Sequence, residues 1–214
     1  MVSLGIVYAM AGRPDEGRDV MHRGRAGYRD LGLEVTWAGA AMGEAWVELY
    51  SGDLVRAEAV LREGIEELEG LGERSYLSTT AVLLAQVLNE QGRFGEAERW
   101  TQLAREAGAA DDMATQIGWR SQLARALARR GELEEVERLA HEGVELAEAT
   151  DGLDWRGEAL FALAEVMGAA GRREEAVQAA TRALAEWERK GIVGYIERAQ
   201  KLLAELSAQP PAMA

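Results

Sequence analysis

Apolar residues recur along the chain at intervals of three and four, and no stretch alternates with period two long enough to suggest a strand. Leu84, Val87 and Leu88, then Leu123 and Leu127, then Leu160, Leu163 and Met167 mark one series of amphipathic segments. Val60, Leu61, Ile65 and Leu68, and later Val177, Ala180 and Leu184, mark a second. Gly12, Gly52, Gly92, Gly131 and Gly171 punctuate the two series at separations of 40, 40, 39 and 40 residues. A fixed period in this range is the mark of a solenoid. The expected class is all-α.

Alignment on those glycines brings three further columns into register. Seven residues before each stands Gly5, Ala45, Ala85, Ala124 or Ala164. Five residues after stands Gly17, Ala57, Ala97, Val136 or Ala176, and twelve after, Gly24, Gly64, Ala104, Gly143 or Ala183. Two helices of a hairpin approach closely only where the facing side chains are small. Each repeat therefore reads as helix A, a tight turn at the glycine, and helix B, with glycine supplying the left-handed conformation that ends helix A. The pattern predicts A helices at about 1–11, 34–51, 75–91, 112–130 and 153–170. B helices follow at about 14–31, 54–70, 94–108, 133–149 and 173–190. A last amphipathic helix, about 193–207, carries Ile196, Ala199, Leu202, Leu203 and Leu206 and is expected to cap the end of the stack. The predicted layout is one domain over 1–207, with repeats at about 1–32, 33–72, 73–111, 112–151 and 152–191, the cap helix at 192–207 and a flexible tail at 208–214.

The order Leu84-Ala85, Leu88, Gly92, Ala97 and Ala104 resembles that of tetratricopeptide repeats. Leu123-Ala124, Leu127, Gly131, Gly143 and Val144 follow it, as do Leu163-Ala164, Met167, Gly171, Ala176, Ala183 and Leu184. HEAT-like repeats also have periods near forty, but the small-residue columns favour the tetratricopeptide reading. Two features depart from the pattern: the period is forty rather than ~34, and no proline follows helix B. The resemblance implies a right-handed α-solenoid whose A helices line a concave surface. The longer period, the GR-x-x-EA turns and the ending ALAEWERKGIVGYIERAQKLLAEL are similar to the helical arrays of large bacterial signalling ATPases and cyclase-type regulators. That narrower resemblance implies a regulatory, non-catalytic array.

Composition narrows the function. The net charge of -13 disfavours nucleic acid, which demands clustered Lys and Arg. Every apolar run is broken well short of ~18 residues, so no membrane span is expected, and residues 1–12 lack the basic start of a signal peptide. With no cysteine, disulfides, thiolate metal sites and thiol catalysis are excluded together; a cytoplasmic setting fits by default. Neither Lys190 nor Lys201 stands in a phosphate-loop context, and GxSxG, HExxH and GxGxxG are absent. His22 and His141 share one repeat position, ten residues past the turn glycine, and read as structural. Glu66-Glu67 and Asp111-Asp112 are sequence-adjacent acids without the convergence a metal or acid–base pair needs. Asp15, Asp53 and Glu132 complement helix N-termini. The expectation is no enzyme, no cofactor and no metal.

Candidate partner-binding residues are those that do not recur. Met42, Trp46 and Tyr50 fall at i, i+4 and i+8, either an anchor pocket or packing against neighbouring repeats. Gln86 belongs to the groove-facing set, and Asn89 beside it offers an inward-facing amide to a peptide backbone, although it stands equally where a helix would end. Arg125 and Arg129, one turn apart, either clamp a carboxylate or phosphate or pair with local glutamates. Phe161 completes the groove-facing set, with Leu49, Glu90, Ser121, Gln122 and Glu165 between. Trp37, Tyr76, Trp155 and Tyr195 near the starts of A helices read as inter-repeat packing. Core positions begin at Val2 with no polar helix before them, so the first helix is expected to need a cover from preceding chain or another molecule. The leading expectation is a scaffold that takes a peptide or partner segment in its concave groove. The alternatives are a self-associating array joined through end helices and a small-molecule sensor that controls a remote catalytic domain.

Overall fold

The computed structural model of the chain describes residues 2–128 and 133–208, and among them it is helical with no strand. The elements are α1 (Val2–Met10), α2 (Pro14–Asp30), α3 (Glu34–Gly39), α4 (Ala41–Ser51), α5 (Leu54–Gly70) and α6 (Ser75–Glu90). They continue with α7 (Phe94–Ala107), α8 (Met113–Leu127), α9 (Leu133–Glu148), α10 (Leu153–Ala169), α11 (Arg173–Lys190) and α12 (Val193–Ala208). The A helices are α1, α3 with α4, α6, α8 and α10; the B helices are α2, α5, α7, α9 and α11. The second A helix, predicted as continuous, bends at Ala40. Gly39 just before the bend receives the Tyr76 ring, which would lie 2.9 Å from any Cβ there.

The turn glycines do the work their spacing implies. Gly12, Gly52, Gly92 and Gly171 take φ values of 75°, 79°, 74° and 76°. At Gly52 the amide donates to Leu49 O at 3.1 Å and Asp53 N donates to Glu48 O at 2.9 Å. This pair of bonds satisfies the last carbonyls of the helix. The same bonds recur at Gly92, with Arg93 N to Leu88 O at 2.8 Å. Gly131 lies outside the described residues, as do Arg129, Glu132 and the tail beyond Ala208. A second glycine column, unused in the sequence reading, closes the turns from B to A: Gly32 and Gly72, also forty apart, have φ 68° and 67°. Where that column carries aspartate, Asp112 instead accepts from Thr115 N at 3.2 Å and caps α8.

The small columns are points of helix contact. Ala45, Ala57, Ala85, Ala97, Ala124, Ala164, Ala176 and Ala183 are completely buried. A Cβ on Gly64 would sit 2.4 Å from Ala41 Cβ, and one on Gly5 would meet the Gly17 carbonyl oxygen at 2.8 Å. The array also curves back on itself. The start of α12 meets the end of α4 so closely that a Cβ on Gly194 would lie 2.1 Å from the Tyr50 carbonyl oxygen. Val193 also approaches the first turn, 3.8 Å from where a Cβ on Gly12 would stand. α12 therefore does more than cover the last repeat: it crosses to residues more than a hundred positions earlier.

Candidate partner-binding face

One repeat position, six residues before the turn glycine, carries Trp46, Gln86, Arg125 and Glu165 in successive A helices. Arg125 and Glu165 of this column pair directly, and Gln86 and Trp46 are joined through Tyr195 and Tyr50. Arg125 is buried at the centre. Its Nη2 donates to Glu90 Oε1 at 2.7 Å, its Nη1 donates to Gln122 Oε1 at 3.0 Å, and its Nε donates to Glu165. Glu158 lies 3.4 Å from Nη1. Burial alone would lower the pKa of this guanidinium, but Glu165, Glu90 and Glu158 more than offset that and hold it firmly charged.

α12 supplies the second guanidinium. Arg198 pairs with Glu90 and donates from Nη1 to Glu158 Oε2 at 2.9 Å, and its plane lies over Phe161 at 3.8 Å. One turn earlier, the Tyr195 hydroxyl accepts from Gln86 Nε2 at 2.8 Å. The Tyr195 ring meets Tyr50 edge-on at 5.0 Å and Trp187 at 4.8 Å. Burial first, and then the carboxylates of Asp154 and Glu158, push the Tyr50 phenol well above its ordinary pKa, so it stays neutral. Burial raises Glu90, but Arg198 and Arg125 outweigh it and hold its carboxyl below the usual glutamate range. Asn89 is buried inside α6; its Nδ2 donates to Gln122 O at 2.9 Å and to Gln122 Oε1 at 3.1 Å. Its Oδ1 has no partner.

The tetratricopeptide repeat model matches residues 1–23, 79–102 and 119–142, which fall in the first, third and fourth helix pairs. These three segments are similar to tetratricopeptide repeats. Among solved structures, the chain is similar to BtubC (BKLC) from P. vanneervenii at 17% identity and a TM-score of 0.52, covering 100% of this chain and 95% of that one. It is also similar to the nearly identical TPR-like repeats of a Podosopora anserina chain described as a kinesin light chain. That match has 16% identity and a TM-score of 0.59, covering 97% of this chain and 95% of that one. These likenesses establish the fold, a tetratricopeptide-type solenoid. No curated protein matches the chain.

Within this tetratricopeptide-type array, Tyr50, Gln86, Asn89, Arg125 and Phe161 converge on the inner face, all buried. Trp46, half-buried, stacks on Tyr50 at 5.4 Å, and Met42 is half-buried one turn further out. Arg129 lies outside the described residues. Two small cavities flank Glu90 at the C-terminal ends of the A helices. One, about 240 Å³, is lined by Leu49, Tyr50, Leu54, Tyr195 and Arg198; the other, about 230 Å³, by Asn89, Phe94, Arg125 and Glu165. A larger open cleft of about 1180 Å³ lies along α7 and α8, and on its wall Arg93 donates to Glu96 and Glu58. His22 and His141 are exposed, and no three His, Asp or Glu among the described residues are placed to hold a metal ion. No described helix is long and apolar enough to cross a membrane.

The sequence reading missed Glu158, Tyr195 and Arg198 as groups of this face. In the sequence Tyr195 reads as packing, and Arg198 on a capping helix carries no periodic signal. Only its position three residues after Tyr195, on the side of α12 that carries Ala199 and Leu202, could have suggested it. The Arg125 pairing is also longer in range than local: its carboxylates come from the third and fifth repeats. Trp37 packs under the guanidinium groups of Arg25 and Arg29, at 4.3 and 5.0 Å, away from the inner face.

Proposed function

We propose that the chain is a non-catalytic protein- or peptide-binding module that docks a partner segment on its concave face. On this reading residues 1–207 act as one regulatory repeat unit in a cytoplasmic setting, as part of a larger bacterial signalling or transcription-regulating protein. Stacked helical repeats use their curvature to offer an extended binding surface. The observation that carries the proposal is the chemistry of the inner column. Trp46, Gln86, Arg125 and Glu165 differ from repeat to repeat while every packing column stays small. An array selected for stability alone gains little from buried ions there, since well-packed apolar side chains would serve as well or better. A partner read by these groups supplies a reason for them.

The test is fluorescence polarisation of labelled helical segments against the protein and against Met42→Ala with Trp46→Ala. These two half-buried side chains are the part of the face that the central ion cluster does not use. Weakened binding by the double variant supports the face, and unchanged affinity rejects it. Self-association through α1 is the second reading, favoured by exposed Leu4 and Val7 on that helix. Light scattering over a concentration series decides it, because a strict monomer removes it. A sensor role would use the two cavities beside Glu90, and a ligand selective for them must raise the melting temperature.

A further inference from the structure

We propose that α12 is the resident occupant of the concave face, and that a partner enters by replacing it with a basic helix. That helix would carry an aromatic residue followed three positions later by an arginine. This deepens the docking reading above and rests on it.

α12 displays the chemistry the face accepts. Tyr195 offers its hydroxyl to Gln86, and Arg198 places its guanidinium between Glu90 and Glu158 and over Phe161. Every receiving group belongs to the third or fifth repeat. Remove α12 and the cluster keeps three carboxylates, Glu90, Glu158 and Glu165, against one guanidinium, Arg125. An arriving helix must bring positive charge, and the net charge of -13 attracts a basic segment over distance.

Exchange is favoured by how α12 is held. Among the described residues nothing covers its outer side, where Glu197, Gln200, Lys201, Ala204 and Glu205 are exposed. Its contacts with the third repeat are polar, Arg198 to Glu90 and Tyr195 to Gln86, and an equivalent polar set from a partner can replace these group for group, while Ala199 and Leu206 anchor the helix in the apolar core. Arg198 Nε is buried without a hydrogen-bond partner, so the internal fit leaves a donor unsatisfied that a better-placed arginine would satisfy. The link back to α11 is short and passes through Gly191 at φ 80°. Because the tether gives α12 a high effective concentration, it screens the face against weak ligands.

The experiment uses the full chain and a labelled peptide of residues 191–208. Gly194→Ala drives a methyl into the Tyr50 carbonyl and wedges α12 away while leaving Gln86, Glu90, Glu158 and Phe161 intact. The peptide is expected to bind this variant at least about tenfold more tightly than the unsubstituted protein, in line with removal of an intramolecular competitor. Arg198→Ala in the peptide, or Glu90→Gln in the receptor, is expected to abolish that gain. Absence of binding to Gly194→Ala, or equal binding to both proteins, overturns the proposal. Hydrogen exchange on the unsubstituted protein is the second measurement. Amides of α12 are expected to exchange through an opening that leaves α10 and α11 protected, and exchange only with global unfolding overturns the proposal. If this peptide fails while other segments bind and lose affinity with Met42→Ala and Trp46→Ala, exchange falls and docking stands. If both fail, docking falls too.

Discussion

Arg198→Ala removes the guanidinium that joins α12 to Glu90 and Glu158 and leaves both carboxylates facing a half-emptied cluster. Breaking a fully buried ion pair by deleting one partner costs about 3–5 kcal/mol. The side chains of Arg198, Glu90 and Glu158 retain 16%, 20% and 13% exposure, so the lower end, about 3 kcal/mol, applies. For a chain of this length that corresponds to a fall in melting temperature of about 6–12 °C. There is a ceiling on the loss. If α12 detaches, water reaches the carboxylates, and the penalty cannot exceed the free energy that docks α12. Calorimetry gives the total, and a double-mutant cycle with Glu90→Gln gives the coupling, expected at about 1 kcal/mol or more for groups in contact. A melting temperature within about 1 °C of the unsubstituted protein, or strict additivity of Arg198→Ala and Glu90→Gln, would refute the assignment of this cluster as the closure.

Three further outcomes test the rest of the fold. Gly92→Ala has free space around the new methyl, so its cost is the left-handed backbone at φ 74° alone, about 1–2 kcal/mol by urea denaturation with an unchanged m-value. Gly64→Ala strikes Ala41 Cβ at 2.4 Å and is expected to lose about 1–3 kcal/mol by overpacking; neutrality would mean the two helices are not in close contact. Because the folded pKa of Glu90 is depressed, its stabilisation is complete above the unfolded glutamate value of about 4.3 and is lost as pH falls through the folded value. Glu44, whose pKa burial raises, offsets part of this. Acid titration of stability should therefore be shallower in Glu90→Gln, and an identical profile counts against the pairing.

The helices, their pairing and the small contact columns are legible in the sequence because each depends on residues within one repeat or the next. A glycine with φ near 75° ends helix A, its amide bonding three residues back and that of the next residue five back, and an alanine column lets helix B settle on its own partner. The break at Ala40 was not legible, and neither was the seating of the Tyr76 ring, from the next repeat, against Gly39 beside it. The inner-face residues could be chosen from the sequence as those that break the repeat, and Arg125 could be seen as a charge in need of a partner. Which glutamates it meets could not be read, because Glu90 and Glu165 lie in different repeats.

What the sequence by itself determined is the one-dimensional order: five helix pairs, a trailing helix, and a set of non-recurring groups on the inner side. What only the tertiary structure decided is that the trailing helix turns inward to meet Tyr50, Gln86 and Glu90. The physical reason is accumulation. Each repeat adds a small rotation set by its own packing, and closure depends on the sum over all of them, which no single repeat encodes. Gly194 against the Tyr50 carbonyl is where that sum becomes visible, as a contact between residues 144 positions apart.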